Sequence, residues 1–493
     1  MIGKSMNTKK TEVPTVEKLV CSGCVGEEFL KGTIRKDGEV GVCSFCGKRR
    51  KAVSIEVLAD EFEGAFERHY YRTSDEPDGY EYMLLKDPES NYDFDRHGDP
   101  VLDIIQEIGE VSETVAGDIL EVLGERHGNY EADKMGEETD FASDSYYSLR
   151  KTNIAERHSE WRDVQVSVQT ESRYFNFTAE RFLDDVFLEL GEDGTRDGGK
   201  AIVEAGPDTP LAVLFRARVF QNEASLEAAL KRPDRELASP PFRSAKAGRM
   251  NAHGISLFYG ATDRSVAISE VRPPVGSRTM TGEFRIQRRL KLLDLEALRS
   301  LEVNGSYFDP RYLSSLQRAR FLGFLSREMA KPVMPDDEQF SYLPTQVIAD
   351  YLANSRFKLD GIIYPSVQGK EGMRNIVLFH ESARVKEFAI SPGTEISARA
   401  TYEPDEDVSY WVFVAGEAAA KTKDADSRVL GAPINLHEED YRDLTLELVP
   451  ESVQVHHVDG ITFDCKVFEV HRHISTKPRV RKFERRSKSG NDL

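Results

Sequence analysis

Residues 247–261 read AGRMNAHGISLFYGA and continue as TDRSVAISE to Glu270. Gly248 and Gly254 bracket a turn that lets backbone approach a ligand closely. Ser256–Gly260 predicts a short strand. Asp263 then caps a short helix carrying Val266, Ala267 and Val271, with Glu270 on its polar side and Pro273-Pro274 as its stop. An arginine, an aromatic ring and an acid thus sit on neighbouring elements. The flanking sequence has the same texture of short strands and helices. Upstream, Leu211–Phe220 predicts a strand on which Arg216 and Arg218, two residues apart, share a face. Two guanidiniums on a buried strand suit an anion, and a diphosphate fits their fork geometry; a pair of ordinary salt bridges is the plain alternative. Downstream, Phe284, Ile286, Leu290 and Leu292 alternate along one longer strand. Helices are predicted over 311–330 and 344–354 and strands over 361–365 and 374–380, with a hydroxyl, Ser366, placed at the end of an apolar strand.

The N-terminal part has a different texture. After a polar leader, residues 1–20, come Cys21-x2-Cys24 and Cys43-x2-Cys46. Two such pairs close a tetrahedral S4 site, so residues 21–52 predict a structural zinc ribbon. Lys48, Arg49, Arg50 and Lys51 after it read as a solvated basic turn. Residues 53–195 predict an all-helical domain. Ile55, Leu58, Phe62 and Phe66 form one stripe, and Val101, Ile104, Ile105, Ile108, Val111, Val115, Ile119 and Val122 form another over six turns; a last helix capped by Thr178 ends at Gly191. Residues 72–99 and 127–147 read as acidic, tyrosine-bearing loops. Residues 391–476 predict a β-rich extension and residues 477–493 a basic tail. His456-His457 and His471-x-His473 fit exposed strand alternation better than a metal site, and Cys465 a half-buried strand residue better than a nucleophile.

Composition sets outer bounds. A chain of 493 residues, at roughly 100–200 per domain, needs three or four units. With 39% hydrophobic and 31% charged residues it is neither collagenous nor low-complexity. No run approaches the roughly 18 apolar residues of a membrane helix, and the opening MIGKSMNTKKTEVP lacks a secretory apolar core. Cysteines paired for metal rather than disulfides point to a reducing cytoplasm. The net charge is −19, and residues 51–150, with 27 Asp/Glu and 8 Lys/Arg, carry all of it. Residues 211–290 hold 14 Lys/Arg against 7 Asp/Glu. A basic module inside an acidic chain argues against a nucleic-acid coat and leaves room for a compact anionic ligand.

The ordered set Arg216-Ala-Arg218, Gly248-Arg249-x-Asn251-x-x-Gly254, Tyr259, Glu270, Tyr364-Pro365-Ser366 and Arg374-Asn375 resembles the RES domain, named for its Arg, Glu and Ser, from Leu211 to Phe388. Met250 stands where the family commonly has an aromatic residue, and Ala252-His253 where a proline is frequent. The resemblance implies a multidomain α+β chain whose RES domain, residues 200–390, shares the core of diphtheria-toxin-type ADP-ribosyltransferases. It further implies consumption of NAD in a toxin or antiphage setting, with NAD as substrate. In those roles Glu270, Arg216, Tyr259 and Ser366 would be catalytic, and Arg249, Arg218, Asn251, Gly254 and Asn375 would bind NAD. Cys21, Cys24, Cys43 and Cys46 would hold structural zinc. The helical block resembles the HEPN-like N-terminal domain sometimes fused to RES, but lacks an Arg-x4–6-His pair, since Arg150 and His158 are too far apart; it reads as non-catalytic.

The expected reaction is cleavage of the nicotinamide–ribose N-glycosidic bond by a glycohydrolase or phosphorylase. A protein ADP-ribosyltransferase and a zinc-ribbon binding module with an inactive RES domain are the alternatives. An inhibitor or sensor partner and a homo-oligomer are expected; a membrane or nucleic-acid partner is not.

Overall fold

The computed structural model describes residues 17–331, 333, 338–366, 372–402, 408–415, 440–462 and 465–471. The leader up to residue 16, His473 and the basic tail lie outside them.

The N-terminal unit opens with β1 (Leu19–Cys21), α1 (Glu28–Asp37), β2 (Glu39–Val42) and β3 (Arg49–Ser54), the strands forming an antiparallel sheet in the order β1-β3-β2. Helix α2 (Ile55–His69) starts at Ser54, whose hydroxyl accepts the Val57 amide. There follow β4 (Tyr70–Arg72), α3 (Gly79–Lys86), β5 (Asp99–Pro100), α4 (Val101–Gly109), α5 (Glu113–His127), α6 (Tyr130–Met135) and β6 (Tyr146–Leu149). Two expectations change here. The six-turn stripe is two helices: Glu110 takes a left-handed conformation (φ 47°) after α4, and Ser112 caps α5. The apolar stripe stays in phase across the break, so periodicity alone hides it. Nor is the unit all-helical, because the supposed loops supply a small sheet, β4-β6-β5, and two short helices.

Helices α7 (Ala155–Thr170) and α8 (Phe177–Val186) belong to a different core. Trp161, Val164, Phe182 and Leu183 pack with Phe321, Ile348, Ile362 and Val377 of the C-terminal half, whereas the α2, α4 and α5 stripes share a separate cluster. The expected helical block, 53–195, therefore feeds two cores.

The C-terminal half is built on one large sheet, with β7 (Ile202–Ala205), β8 (Val213–Phe220), the short helices α9 (Glu223–Leu230) and α10 (Pro233–Glu236), β9 (Phe258–Ala261), α11 (Arg264–Glu270), β10 (Arg278–Ile286) and β11 (Leu290–Asp294). Next come α12 (Pro310–Ala330), α13 (Glu338–Ser341), α14 (Leu343–Asn354), β12 (Gly361–Pro365), β13 (Arg374–Leu378), β14 (Val385–Lys386), β15 (Glu395–Tyr402), β16 (Val408–Ala415), β17 (Leu446–Leu448) and β18 (Gln454–His457). The strand order is β14-β17-β10-β8-β9-β13-β12-β11-β7, with β18 also on β10. The single strand expected over 284–292 is two, β10 and β11, at different places in the sheet. The β-rich extension divides as well: β15 and β16 form a hairpin of their own, while β17 and β18 join the main sheet through β10. Residues 465–471 carry no strand, and Cys465 is exposed.

Candidate active site

Strands β8 and β9 are neighbours in the sheet but pair at one position, Phe215 with Ala261. On either side of them pairing is extensive, β8 with β10 over eight positions and β9 with β13 over four. The sheet therefore splits between β8 and β9, and a cleft of about 230 Å3 opens there. Phe215, Arg216, Tyr259, Glu270, Tyr364 and Asn375 line it.

Glu270 is the last residue of α11, a helix that Asp263 caps through the Ser265 amide. A carboxylate at a helix C-terminus meets the partial negative charge of the last carbonyls, an arrangement costing about 0.3–1 kcal/mol. Two donors hold it there: Asn375 Nδ2 at 2.6 Å and Ser366 Oγ at 2.9 Å, both on Oε1. Asn375 is 3% exposed, so the donor is fixed while the carboxylate remains accessible at the cleft. A side chain placed against its helix dipole and braced by two others through one oxygen leaves the second oxygen for a different task.

Arg216 lies on β8 with its guanidinium 4.8 Å from the centre of the Phe258 ring. Its Nη1 is buried without a hydrogen-bond partner among the described residues. Burial, and next the charge of Arg218, pull its pKa down to about 10, so it remains a cation at neutral pH. A buried cation with an unspent donor is unfavourable unless an anion completes it. Arg218 shares the face expected of it but is largely exposed and bound to Glu236, at the rim rather than in the cleft.

The 247–256 turn stands beside Tyr259. Tyr259 donates its hydroxyl to Asn251 Oδ1 at 2.7 Å, and Asn251 Nδ2 donates to the carbonyls of Lys246, Ala252 and Ile255. The polar capacity of Asn251 is thus used inside the turn. Gly248 is required by close approach, since a Cβ there would lie 2.7 Å from Asn251 Oδ1 and 2.9 Å from Tyr259 Oη. Gly254 has φ +88° and shapes the turn's exit. Arg249 projects from it toward the cleft tyrosines, 5.9 Å from the Tyr364 ring, and donates through Nη1 to the Ala330 carbonyl at 3.0 Å. Burial pushes the Tyr259 and Tyr364 phenols well above their ordinary pKa, so both stay neutral hydrogen-bonding groups.

Helix α14 clasps the same turn. Gln346, 7% exposed, donates to the carbonyls of Gly248 (2.7 Å) and Asn251 (2.9 Å), and Thr345 donates to that of Arg249 (2.6 Å). Gln346→Leu removes two hydrogen bonds of about 0.5–1.5 kcal/mol each. A melting temperature lower by several degrees is the expected outcome in a thermal melt, with weaker binding of any ligand that Arg249 holds.

Of the residues singled out in the sequence, Arg216, Tyr259, Glu270 and Asn375 line one cleft, Ser366 braces Glu270, and Arg249 adjoins through Tyr364. Asn251 and Gly254 build the turn, and Arg218 sits outside. Sequence reasoning did not assign a role to Tyr364, Phe258 or Gln346. Tyr364 had a signal, a ring immediately before Pro365-Ser366; the other two sit in apolar or helical runs with none.

The four N-terminal thiols form a second constellation. Cys21 and Cys46 Sγ are 3.6 Å apart, Cys24 and Cys43 3.7 Å, Cys21 and Cys24 3.9 Å, and all four lie within 4.8 Å of one another. Zn–S bonds of about 2.3 Å in a tetrahedron set sulfurs about 3.8 Å apart, so this set could hold such an ion. The knuckle is stitched to the helices by the Gly26 amide on the Glu110 carbonyl at 2.9 Å. About one zinc per chain is expected by elemental mass spectrometry. Cys24→Ser or a strong chelator should abolish the metal and the thermal transition of the N-terminal unit, because such binding energy is folding energy; metal-free protein with an unchanged transition would remove the assignment.

Among the described residues no helix is long and apolar enough to cross a membrane. No curated protein and no solved structure matches the chain. Residues 226–398 match the RES domain family, a span that takes in Arg249, Tyr259, Glu270, Ser366 and Asn375 and begins after Arg216. That match suggests NAD-related activity in general. The chain therefore carries a RES domain over residues 226–398, with β9 and the braced Glu270 inside it and β8, the other edge of the split, just before it.

Proposed function

We propose that the cleft cleaves NAD at the bond between nicotinamide and ribose. The observation that carries this reading is the pairing, in one cleft, of a buried guanidinium with an unspent donor and a glutamate braced through one oxygen. The cleft is of nucleoside rather than dinucleotide size, so it would take the nicotinamide riboside with the diphosphate toward Arg216 and Arg249. As the C1′–N bond breaks, its electron pair leaves with nicotinamide, which becomes neutral, and the ribose becomes an oxocarbenium-like cation. Glu270 would stabilise that cation and accept a hydrogen bond from a ribose hydroxyl. The arginines supply orientation and charge neutralisation. Tyr259 and Tyr364 offer ring surface and neutral hydroxyls to the riboside. An oxygen nucleophile then captures C1′ and loses a proton. Water gives ADP-ribose, phosphate gives its 1″-phosphate, and a protein side chain gives an ADP-ribosylated product. We favour a glycohydrolase or phosphorylase that depletes NAD, the behaviour of a toxin or antiphage effector. Incubating the purified full-length chain with NAD tests the reading. Free nicotinamide with ADP-ribose or its phosphate supports it, label retained on protein favours the transferase, and NAD recovered whole overturns it.

A further inference from the structure

Helix α12 joins two places that are far apart in the molecule. Its 21 residues, at 1.5 Å each, make a rod of about 32 Å. At its N-terminal end the preceding residue pair, Tyr307-Phe308, leaves the C-terminal half altogether. Phe308 is 1% exposed and sits in the core cluster of the N-terminal unit, its ring 4.8 Å from that of Phe62 in an edge-on contact. Arg68 of α2 reaches the carbonyls of Tyr307 and Phe308, both at 3.4 Å, and Tyr307 lies against the His69 ring. Asp309 then caps the helix through the Arg311 amide.

The middle of the rod is fixed. Phe321, Leu322, Leu325 and Met329 are buried in the core shared with α7 and α8, and Arg318 is held by Asp193. At the far end the Ala330 carbonyl, one of the last-turn acceptors that a helix leaves unpaired, takes Nη1 of Arg249. A guanidinium at a helix C-terminus also satisfies the negative end of the dipole, so the contact has a direction and a favourable sign. It uses one of the five donors of Arg249 and leaves the others for a ligand. With its entry anchored through Phe308 and its middle turns packed in the core, the rod as a whole sets where its last turn presents the carbonyl that holds Arg249.

We propose that Phe308 and α12 are positioning elements for Arg249, so that the seating of the N-terminal unit sets how tightly the cleft holds the diphosphate of its ligand. This inference rests on the reading of the cleft as an NAD site. It assigns the N-terminal unit a constructive part in the site, and its target is affinity rather than bond cleavage.

The test uses the full-length chain and ADP-ribose as the probe, with affinity read by calorimetry and NAD turnover read as separate KM and kcat. Phe308→Ala should weaken ADP-ribose binding about fivefold or more, the size of a modest coupling between sites, raising KM while kcat changes little. Phe308→Leu, which keeps apolar bulk but loses the edge-on ring contact with Phe62, should weaken binding by a smaller but measurable factor, and it takes over the test if circular dichroism shows the alanine variant unfolded. Adding either change to Arg249→Ala should cost nothing beyond Arg249→Ala alone, because both act through the same guanidinium. Losses that multiply in the double variant, or a Phe308 variant with wild-type affinity, overturn the coupling and leave the NAD reading standing. Wild-type protein that neither binds ADP-ribose nor turns over NAD overturns both, and where it turns over NAD without holding ADP-ribose the KM of each variant carries the comparison.

Discussion

Glu270→Gln should reduce NAD cleavage by at least about a hundredfold while leaving ADP-ribose binding and the fold in place. The argument is electrostatic. A carboxylate facing the ribose stabilises positive charge that exists only as the glycosidic bond breaks, and removing one such pre-positioned group typically costs 10²–10³ in rate, on the order of 3 kcal/mol. Glutamine keeps an oxygen that can accept from Asn375 Nδ2 and Ser366 Oγ, the two donors that brace Oε1 now. It also removes a negative charge from the C-terminal end of α11, where the helix dipole opposes it. Its melting temperature is therefore expected at or slightly above that of the wild-type chain. Rapid-quench turnover with a parallel thermal melt decides the matter. A Glu270→Gln variant that turns over NAD at the wild-type rate ends the case for this carboxylate; one that is unfolded means that its part is structural.

Arg216→Met carries the second large expectation, and it runs in opposite directions for stability and binding. The Nη1 of Arg216 is buried with no partner among the described residues, and burial disfavours its charge. Leaving such a donor unsatisfied costs about 1–3 kcal/mol. Methionine fills similar space, keeps a contact with the Phe258 ring against which Arg216 lies, and needs no partner. The variant should melt higher than the wild-type protein. On the proposed reading of the cleft the same change would remove a charge-assisted contact to a phosphate of about 1.5–3 kcal/mol, so affinity for NAD or ADP-ribose should fall about ten- to hundredfold. A residue serving structure alone would lose stability and leave affinity unchanged, and that outcome would remove Arg216 from the site.

The sequence was most informative where local rules act. The turn and helix between Gly248 and Glu270 and the elements at 310–330, 343–354, 361–365 and 374–378 follow from caps, glycines and apolar spacing, and the structure has them within a few residues. The break between α4 and α5 escaped because one left-handed residue, Glu110, costs little and leaves the apolar stripe in phase. The attachment of β17 and β18 to β10 escaped because strand pairing carries no local mark of its partner. At the site the residue types were legible and their tasks were not. Arg218 and Arg216 look alike on an alternating strand, yet one meets Glu236 and the other keeps a buried Nη1 with no acceptor among the described residues. Asn251 looks like a ligand-binding amide until the three carbonyls it serves are counted.

Taken alone, the sequence determined the thiol spacing that can close around one metal, the apolar stripes of several helices with the Asp263 cap, and the ordered Arg, Tyr, Glu and Ser of the C-terminal half, because each depends on neighbours within a few residues along the chain. The expected Thr178 cap gives way to Asn176, which accepts the Ala179 amide, and that helix ends at Val186 rather than at Gly191. Only the tertiary structure decided that β8 and β9 part after a single shared pair, that α7 and α8 cover the C-terminal sheet rather than the helices before them, and that Phe308 is lodged in a core some 240 residues upstream, its carbonyl held by Arg68. The physical reason is that an apolar face specifies burial without specifying what buries it. That choice is made by shape and by unspent hydrogen bonds once the whole chain has come together.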